Sequence, residues 1–324
     1  MKKDTSSFFL LSSFFFGNSP VCLTPSRRTS CHSKPAEFLM KIPFTDLGGE
    51  GSTLCFLHAN GYPPECYLPL LNALKPQHRV LAMHQRPLWP NAKPEEVSDW
   101  HPLSADFLRF LDEQGLERVS VLGHSMGGIA ALRAALQQPE RFRALILLDP
   151  VLFPPGFILL WNLVRLIGLG YALHPLIPAA QKRRRTFDDL DRPFNAYRQR
   201  PTFRYMNDDA LWAYLRGITQ PNGESGYTLR YSPEWETRIY YTSVWRDFDL
   251  WRGLPKLKLA TLVLRGAETD TFLPLTAWLV RRFNPRIQMQ TLAHTTHLLP
   301  LEAPAQVADY ILCFLDRFAH QATE

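Results

Sequence analysis

The chain has 324 residues, is 46% hydrophobic and 20% charged, and carries a formal net charge of +6. This is the composition of an ordinary globular protein, long enough for one large core or a core with an inserted subdomain. The excess positive charge falls in residues 1–39 and 151–256 rather than on a recognisable basic module, so nucleic acid is not an expected partner.

Five cysteines, odd in number and without zinc or disulfide spacing, read as free thiols and point to a reducing, cytoplasmic setting. Cys55 and Cys313 lie in apolar runs and are expected to be buried. Residues 1–39 look foreign to the rest of the chain. Lys2 and Lys3 precede a phenylalanine-rich run over 8–16, and a Ser/Thr/Pro/Arg stretch comes after it. A secretory or organellar targeting segment fits this pattern, although no small-x-small cleavage site is clear. The favoured reading is an over-called start with Met40 opening the protein proper, and disorder is expected upstream in every case.

From Met40, MKIPFTDLGG suits a first strand, and residues 53–58 (TLCFLH) form a continuous apolar run typical of a strand buried on both faces. The loop HANGYPP comes next, then helical spacing over 67–74 and a second buried strand over 79–83. Residues 104–114 alternate apolar and charged side chains with a period near 3.6 and stop at Gly115, a helix with a C-terminal glycine. Residues 144–148 (ALILL) make another buried strand, closed by Asp149-Pro150. Strands separated by helices of this length imply parallel pairing through right-handed crossovers.

Alternation is lost over residues 151–256 and returns with a strand at 260–264, a helix at 275–283, a strand at 287–292 and a last helix at 304–318. The expected architecture is therefore α/β: a mostly parallel, doubly wound sheet from residues 40–150 and 257–324, with 151–256 inserted as a helical cap. No strand is expected within the cap. It should sit over the C-terminal strand ends, where open sheets bind ligands. Residues 157–169 are too short to span a bilayer and are expected to pack in the cap rather than dock on lipid. The run KRRR at 182–185 is expected to be a solvated edge.

Between the strand at 119–122 and an alanine-rich helix stands VSVLGHSMGG, which holds G-x-S-x-G. In that context Ser125 would sit in a strained turn, leaving no room for side chains at Gly123 and Gly127. The helix behind it would aim unpaired N–H groups at the site. A serine needs a base at neutral pH, and the base needs an acid to fix its tautomer. Among ten histidines, His297 is favoured because it comes after the final strand. His294, His58, His84 and His124 are the competitors. Asp270, beyond the strand at 260–264, and Asp149, beyond the strand at 144–148, are the candidate acids, with a helix N-cap and an Asx turn as their respective structural alternatives. With Asp270 the order is Ser, Asp, His, as nucleophile-elbow hydrolases have it.

From about Lys41 to Phe318 the chain resembles the α/β-hydrolase superfamily, in particular its capped esterase and lipase-like members. GHSMGG resembles that family's elbow, RGAETD at 265–270 its strand-plus-acid motif, and HTTHLLPLEAP at 294–304 its histidine loop. HANGYPP resembles the oxyanion loop, with Ala59 where the family usually has glycine, and HQRPLWP departs from the family's D-x-R-G-x-G loop. The resemblance implies Ser125 as nucleophile, His297 as base, Asp270 as acid, and the backbone N–H groups of Met126 and Asn60 as oxyanion donors. His58, Tyr62 and Trp161 are expected to line the substrate pocket. No metal or cofactor is implied. The expected activity is hydrolysis of a small-to-medium carboxylic ester. Carbon–carbon hydrolysis of a diketone by the same triad, and a non-catalytic ligand-binding protein, are the alternatives. Serine at position 125 argues against the dehalogenase and epoxide-hydrolase types, which use aspartate there.

Overall fold

The computed structural model describes residues 40–223 and 226–319. Residues 1–39, and with them the readings of the leader, lie outside the described residues. The described residues from Lys41 onward form one compact unit.

In chain order the first half comprises β1 (Phe44–Gly48), β2 (Ser52–Leu57), α1 (Leu68–Leu74), β3 (His78–Met83), α2 (His101–Glu113), β4 (Val119–His124), α3 (Met126–Gln137) and β5 (Phe142–Leu148). The middle holds α4 (Pro155–Leu166), α5 (Gly170–Leu173), α6 (Ile177–Gln181), β6 (Thr186–Phe187), α7 (Asp191–Arg198), α8 (Asp208–Ile218), β7 (Thr219–Pro221), β8 (Tyr227–Leu229), α9 (Pro233–Thr242) and α10 (Phe248–Gly253). The chain closes with β9 (Ala260–Gly266), α11 (Pro274–Phe283), β10 (Gln288–Leu292), α12 (Leu299–Glu302) and α13 (Pro304–Ala319).

Seven strands form one sheet in the order β1-β3-β2-β4-β5-β9-β10, parallel throughout except for β1, which pairs antiparallel with β3. The pleat sorts alternate residues of each strand into two cores. Cys55 and Leu57 of β2 face α2 and α3, packing with Phe107, Leu111 and Ile129. Leu54 and Phe56 face the other way, toward Leu70 and Leu74 of α1 and Ile311 and Leu315 of α13. With both faces covered, β2 through β5 carry long apolar runs, which is why they are legible as strands. β4 lies at the centre, so its C-terminal end opens between the strands with helices on both sides.

The α13 helix corrects one expectation. Its inward stripe is Val307, Ala308, Ile311 and Leu315, spaced by one, three and four residues, and Cys313 falls between these on the exposed side. Cys55, in contrast, is fully buried.

The segment between β5 and β9 is mainly helical, but it also holds a three-stranded antiparallel sheet in the order β6-β8-β7, where no strand was expected. Those strands are two or three residues long, too short to display an alternation. The insertion does not form a simple roof either. Leu211, Tyr214 and Leu215 of α8 join the core on the α1 and α13 face of the main sheet, so part of the insertion braces the sheet from the side. Its helices begin on local signals: the Asn207 side chain accepts from Ala210 N at 2.8 Å to start α8, and Ser232 accepts from Trp235 N ahead of α9.

Candidate active site

Ser125 stands between the end of β4 and the start of α3 with φ 56° and ψ −117°. A non-glycine residue rarely holds that backbone, and here the surroundings impose it. A Cβ on Gly123 would lie 2.5 Å from the Gly127 carbonyl oxygen, and one on Gly127 would lie 2.2 Å from the Leu57 carbonyl oxygen. Only glycine lets the first turn of α3 approach β4 and the end of β2 this closely. The Ser125 N–H donates to the Leu148 carbonyl at 3.0 Å, tying the turn to the end of β5.

The loop between β10 and α12 carries His297 to this turn. Its Nε2 lies 2.9 Å from Ser125 Oγ and its Nδ1 lies 3.0 Å from Asp149 Oδ1. The carboxylate accepts, so Nδ1 carries the proton and Nε2 is left as acceptor toward the serine hydroxyl. The loop is held by Glu302, whose carboxylate accepts from the Thr296 N–H at 2.6 Å and the Thr296 hydroxyl at 2.7 Å.

Asp149 is the first residue after β5 and is fully buried, with φ 41°. Besides His297, its carboxylate accepts from Gly266 N at 2.9 Å, from Thr269 Oγ1 at 2.6 Å and from Phe272 N at 3.4 Å. Burying a carboxylate is tolerable only when donors satisfy its oxygens, and four do so here. Asp270, expected as the acid, does not reach His297. It lies exposed, its carboxylate accepting from the neighbouring Thr271 hydroxyl at 3.1 Å. The reason is local: the loop after β9 turns Gly266, Thr269 and Phe272 inward as donors to Asp149, which leaves Asp270 on the outer side. The Ser, Asp, His order holds with either aspartate, so order alone could not choose between them. Thr269 had no signal in the sequence.

The expected oxyanion donors belong to adjoining segments. A Cβ on Gly127 would also lie 2.7 Å from the His58 carbonyl oxygen, so the loop carrying Asn60 starts against the first turn of α3, where Met126 lies. The Asn60 side chain is pinned by the insertion: its Nδ2 donates to the Glu236 carbonyl at 3.0 Å and its Oδ1 accepts from Tyr231 Oη at 2.8 Å. Behind the loop runs a buried relay. The Ala59 N–H donates to Tyr67 Oη at 3.3 Å, Tyr67 Oη lies 2.7 Å from His124 Nδ1, and His124 Nε2 lies 2.9 Å from the His297 carbonyl. A carbonyl only accepts, so His124 carries its proton on Nε2 and takes the tyrosine proton at Nδ1. Burial, then the neighbouring His297, hold the His124 pKa well below the usual histidine value, consistent with a neutral ring.

The three residues expected in the pocket are each held by neighbours of their own. His58 is fully buried; its Nδ1 donates to the Ala59 carbonyl at 2.8 Å and its Nε2 accepts from Gln85 N at 3.1 Å. Burial pulls its pKa down to about 3, so it stays neutral and props the loop. Tyr62 packs its ring on Tyr214 at 5.2 Å, and Trp161 stacks on Phe157 and meets His174 edge-on. These ring partners, Tyr214, Phe157 and His174, all belong to the insertion. The KRRR run is also not wholly solvated. Arg183 turns inward to Glu236 at 2.6 Å and to Tyr214 Oη at 3.1 Å, and this pair covers Gly61, where a Cβ would lie 3.2 Å from Glu236 Cδ.

Residues 56–310 match the alpha/beta hydrolase family. The chain is 31% identical over 115 residues to the dihydrolipoyllysine-residue acetyltransferase component of the acetoin cleaving system of Cupriavidus necator, covering 35% of this chain and 30% of that one. It is 26% identical over 204 residues to lipase LipV of Mycobacterium tuberculosis, covering 62% of this chain and 70% of that protein. The match to the first of these spans less than a third of that relative's length. Among solved structures, E-2-(acetamidomethylene)succinate hydrolase superposes with a TM-score of 0.68 at 18% identity, over 83% of this chain and 93% of that one, a likeness of fold. The sheet order, the strained serine between β4 and α3, and the match over residues 56–310 together place this chain in the alpha/beta hydrolase family.

Proposed function

We propose that the protein is a serine hydrolase that cleaves a small-to-medium carboxylic ester through an acyl-enzyme. The observation that carries this reading is the single imidazole of His297 set between Ser125 Oγ and the buried Asp149 carboxylate. In the forward half-reaction Ser125 Oγ attacks the ester carbonyl carbon while its proton passes to His297 Nε2. The resulting imidazolium is stabilised by the Asp149 carboxylate, which Gly266 N, Thr269 Oγ1 and Phe272 N hold in place beside it. The developing oxyanion is offered the N–H groups of Met126 and Asn60. His297 then protonates the leaving alcohol, and a water deprotonated by the same nitrogen releases the acid. The small-to-medium acyl group rests on the enclosure of the serine, which is 5% exposed beneath an insertion whose Tyr231 and Glu236 reach the Asn60 loop.

The test is nitrophenyl ester hydrolysis with mass spectrometry of the trapped acyl-enzyme, on the native chain and Ser125→Ala. The native chain should cleave butyrate and octanoate faster than acetate and faster than palmitate, with the acyl group on Ser125. Ser125→Ala should lose at least ~10⁴-fold in kcat while remaining folded. Turnover by Ser125→Ala, or a label elsewhere, contradicts the nucleophile; rates climbing steadily to palmitate contradict the substrate class.

A further inference from the structure

The first helices of the insertion are apolar on the outside. Of α4, only Ile158 is buried, while Leu159 is 66% exposed, Leu163 54%, Leu166 72% and the following Ile167 60%. With Leu160, also exposed, these positions span an arc of about 120° at ~100° per residue, a continuous aliphatic stripe. Leu173 of α5 is exposed as well, at 57%. Exposed apolar surface gathered in this way marks an interaction site, unlike scattered single residues.

Charge is kept off the stripe, and the segment that carries it is basic. The only Lys, Arg, Asp or Glu between Pro155 and Leu176 is Arg165, which turns to the opposite side. Its guanidinium lies 4.5 Å from the Tyr241 ring and 4.5 Å from the Trp245 ring. No Asp or Glu occurs between Asp149 and Asp188. The same segment ends in KRRR, where Glu236 and Glu234 take Arg183 and Arg185, and Lys182 and Arg184 stay exposed. The stripe therefore offers leucine and isoleucine, in a segment whose charged residues from Pro155 to Arg185 are all cations. Protein–protein interfaces carry about one hydrogen bond per 100–200 Å² and favour aromatic and arginine anchors. Hydrocarbon asks for neither, and an anionic headgroup layer complements the cations.

We propose that the outer face of α4 and α5 is a peripheral membrane-docking surface, seating Leu159, Leu163, Leu166 and Ile167 among the acyl chains of an anionic bilayer with Lys182 and Arg184 at the headgroups. Among the described residues no helix is long and apolar enough to cross a membrane, so the mode is seating and not spanning. This surface stands independently of the chemistry at Ser125.

The experiment is co-sedimentation of the full chain with vesicles of phosphatidylcholine containing phosphatidylglycerol, and with phosphatidylcholine alone. Sedimentation equilibrium without lipid is run beside it. The native chain should bind the mixed vesicles more tightly than the neutral ones. The pair Leu163→Asp and Leu166→Asp should lose roughly 100-fold or more in partitioning to both, with an unchanged melting temperature because both sites are exposed. Lys182→Gln with Arg184→Gln should lose roughly tenfold or more on the anionic vesicles and little on the neutral ones. Failure of the native chain to bind either vesicle overturns the proposal. So does binding that the leucine pair leaves intact, which would place the affinity elsewhere, the phenylalanine run at 8–16 included. A dimer dissolved by the leucine pair, without vesicle binding, would assign the stripe to a second copy instead.

Discussion

At the scale of single residues, the site turns on how a buried carboxylate is hydrogen-bonded and aimed. Asp149 is fully buried, and its carboxylate meets Gly266, Thr269, Phe272 and His297. Thr269 gives the shortest of these bonds, 2.6 Å, and comes from a different strand end. Thr269→Val keeps the shape and removes the donor, so kcat should fall by roughly tenfold with KM little changed, measured on the preferred nitrophenyl ester. An unchanged kcat would mean that the remaining donors fix Asp149 unaided. Ser125 and His297 are readable in the sequence because each stands in a motif with a positional requirement, a glycine-flanked turn and a loop after the last strand. The acid is not readable. Asp149 precedes a proline and looks like a turn residue, while Asp270 sits in a loop that resembles an acid motif, and only the direction in which that loop folds separates them.

At the scale of elements, the elbow depends on close approach between backbones. Gly127 has the Leu57 carbonyl where its Cβ would be, so Gly127→Ala must move α3 away from β2 or distort Ser125. A stability loss of about 2–3 kcal/mol or more is expected, with activity falling further than stability alone explains. Gly156, at the start of α4, has open space around its would-be Cβ, and Gly156→Ala should stay within ~0.5 kcal/mol of the native chain in the same urea titration. Comparable losses from the two would show that the close packing at the elbow does not set the cost of Gly127→Ala. The main strands are legible because burial on both faces leaves them continuously apolar. The small sheet of the insertion is not, since Thr186–Phe187, Thr219–Pro221 and Tyr227–Leu229 carry no periodic signal of their own. The exposed stripe of α4 escapes a sequence reading for a related reason: an apolar run shows that a surface wants cover, but not what covers it.

At the scale of the whole molecule, the insertion is fastened to the hydrolase core by charge as well as by packing. Arg133 of α3 is 1% exposed and reaches Asp247 at 2.7 Å and Asp249 at 2.8 Å, next to α10. Within the insertion itself, Trp251 Nε1 donates to the Phe153 carbonyl at 2.8 Å. Burial raises the Asp247 pKa to about 6 against the pull of Arg133, a sign of how much that carboxylate depends on its partner. Arg133→Met leaves it buried and unpaired and should cost about 3–5 kcal/mol in urea unfolding, whereas adding Asp247→Asn should recover part of the loss. A single variant as stable as the native chain would show that packing alone holds the insertion in place.

The most direct test of the catalytic assignment sets the two aspartates against each other. Asp149→Asn and Asp270→Asn are assayed for kcat on one nitrophenyl ester, with melting temperatures confirming that both fold. Asp149→Asn should lose ~10³- to 10⁴-fold, because an amide can present its NH₂ to His297 Nδ1 and favour the wrong tautomer. Asp270→Asn, altering an exposed side chain bonded to its own neighbour, should stay within a few-fold of native. The reverse order, with Asp270→Asn inactive and Asp149→Asn active, would contradict the triad of Ser125, His297 and Asp149.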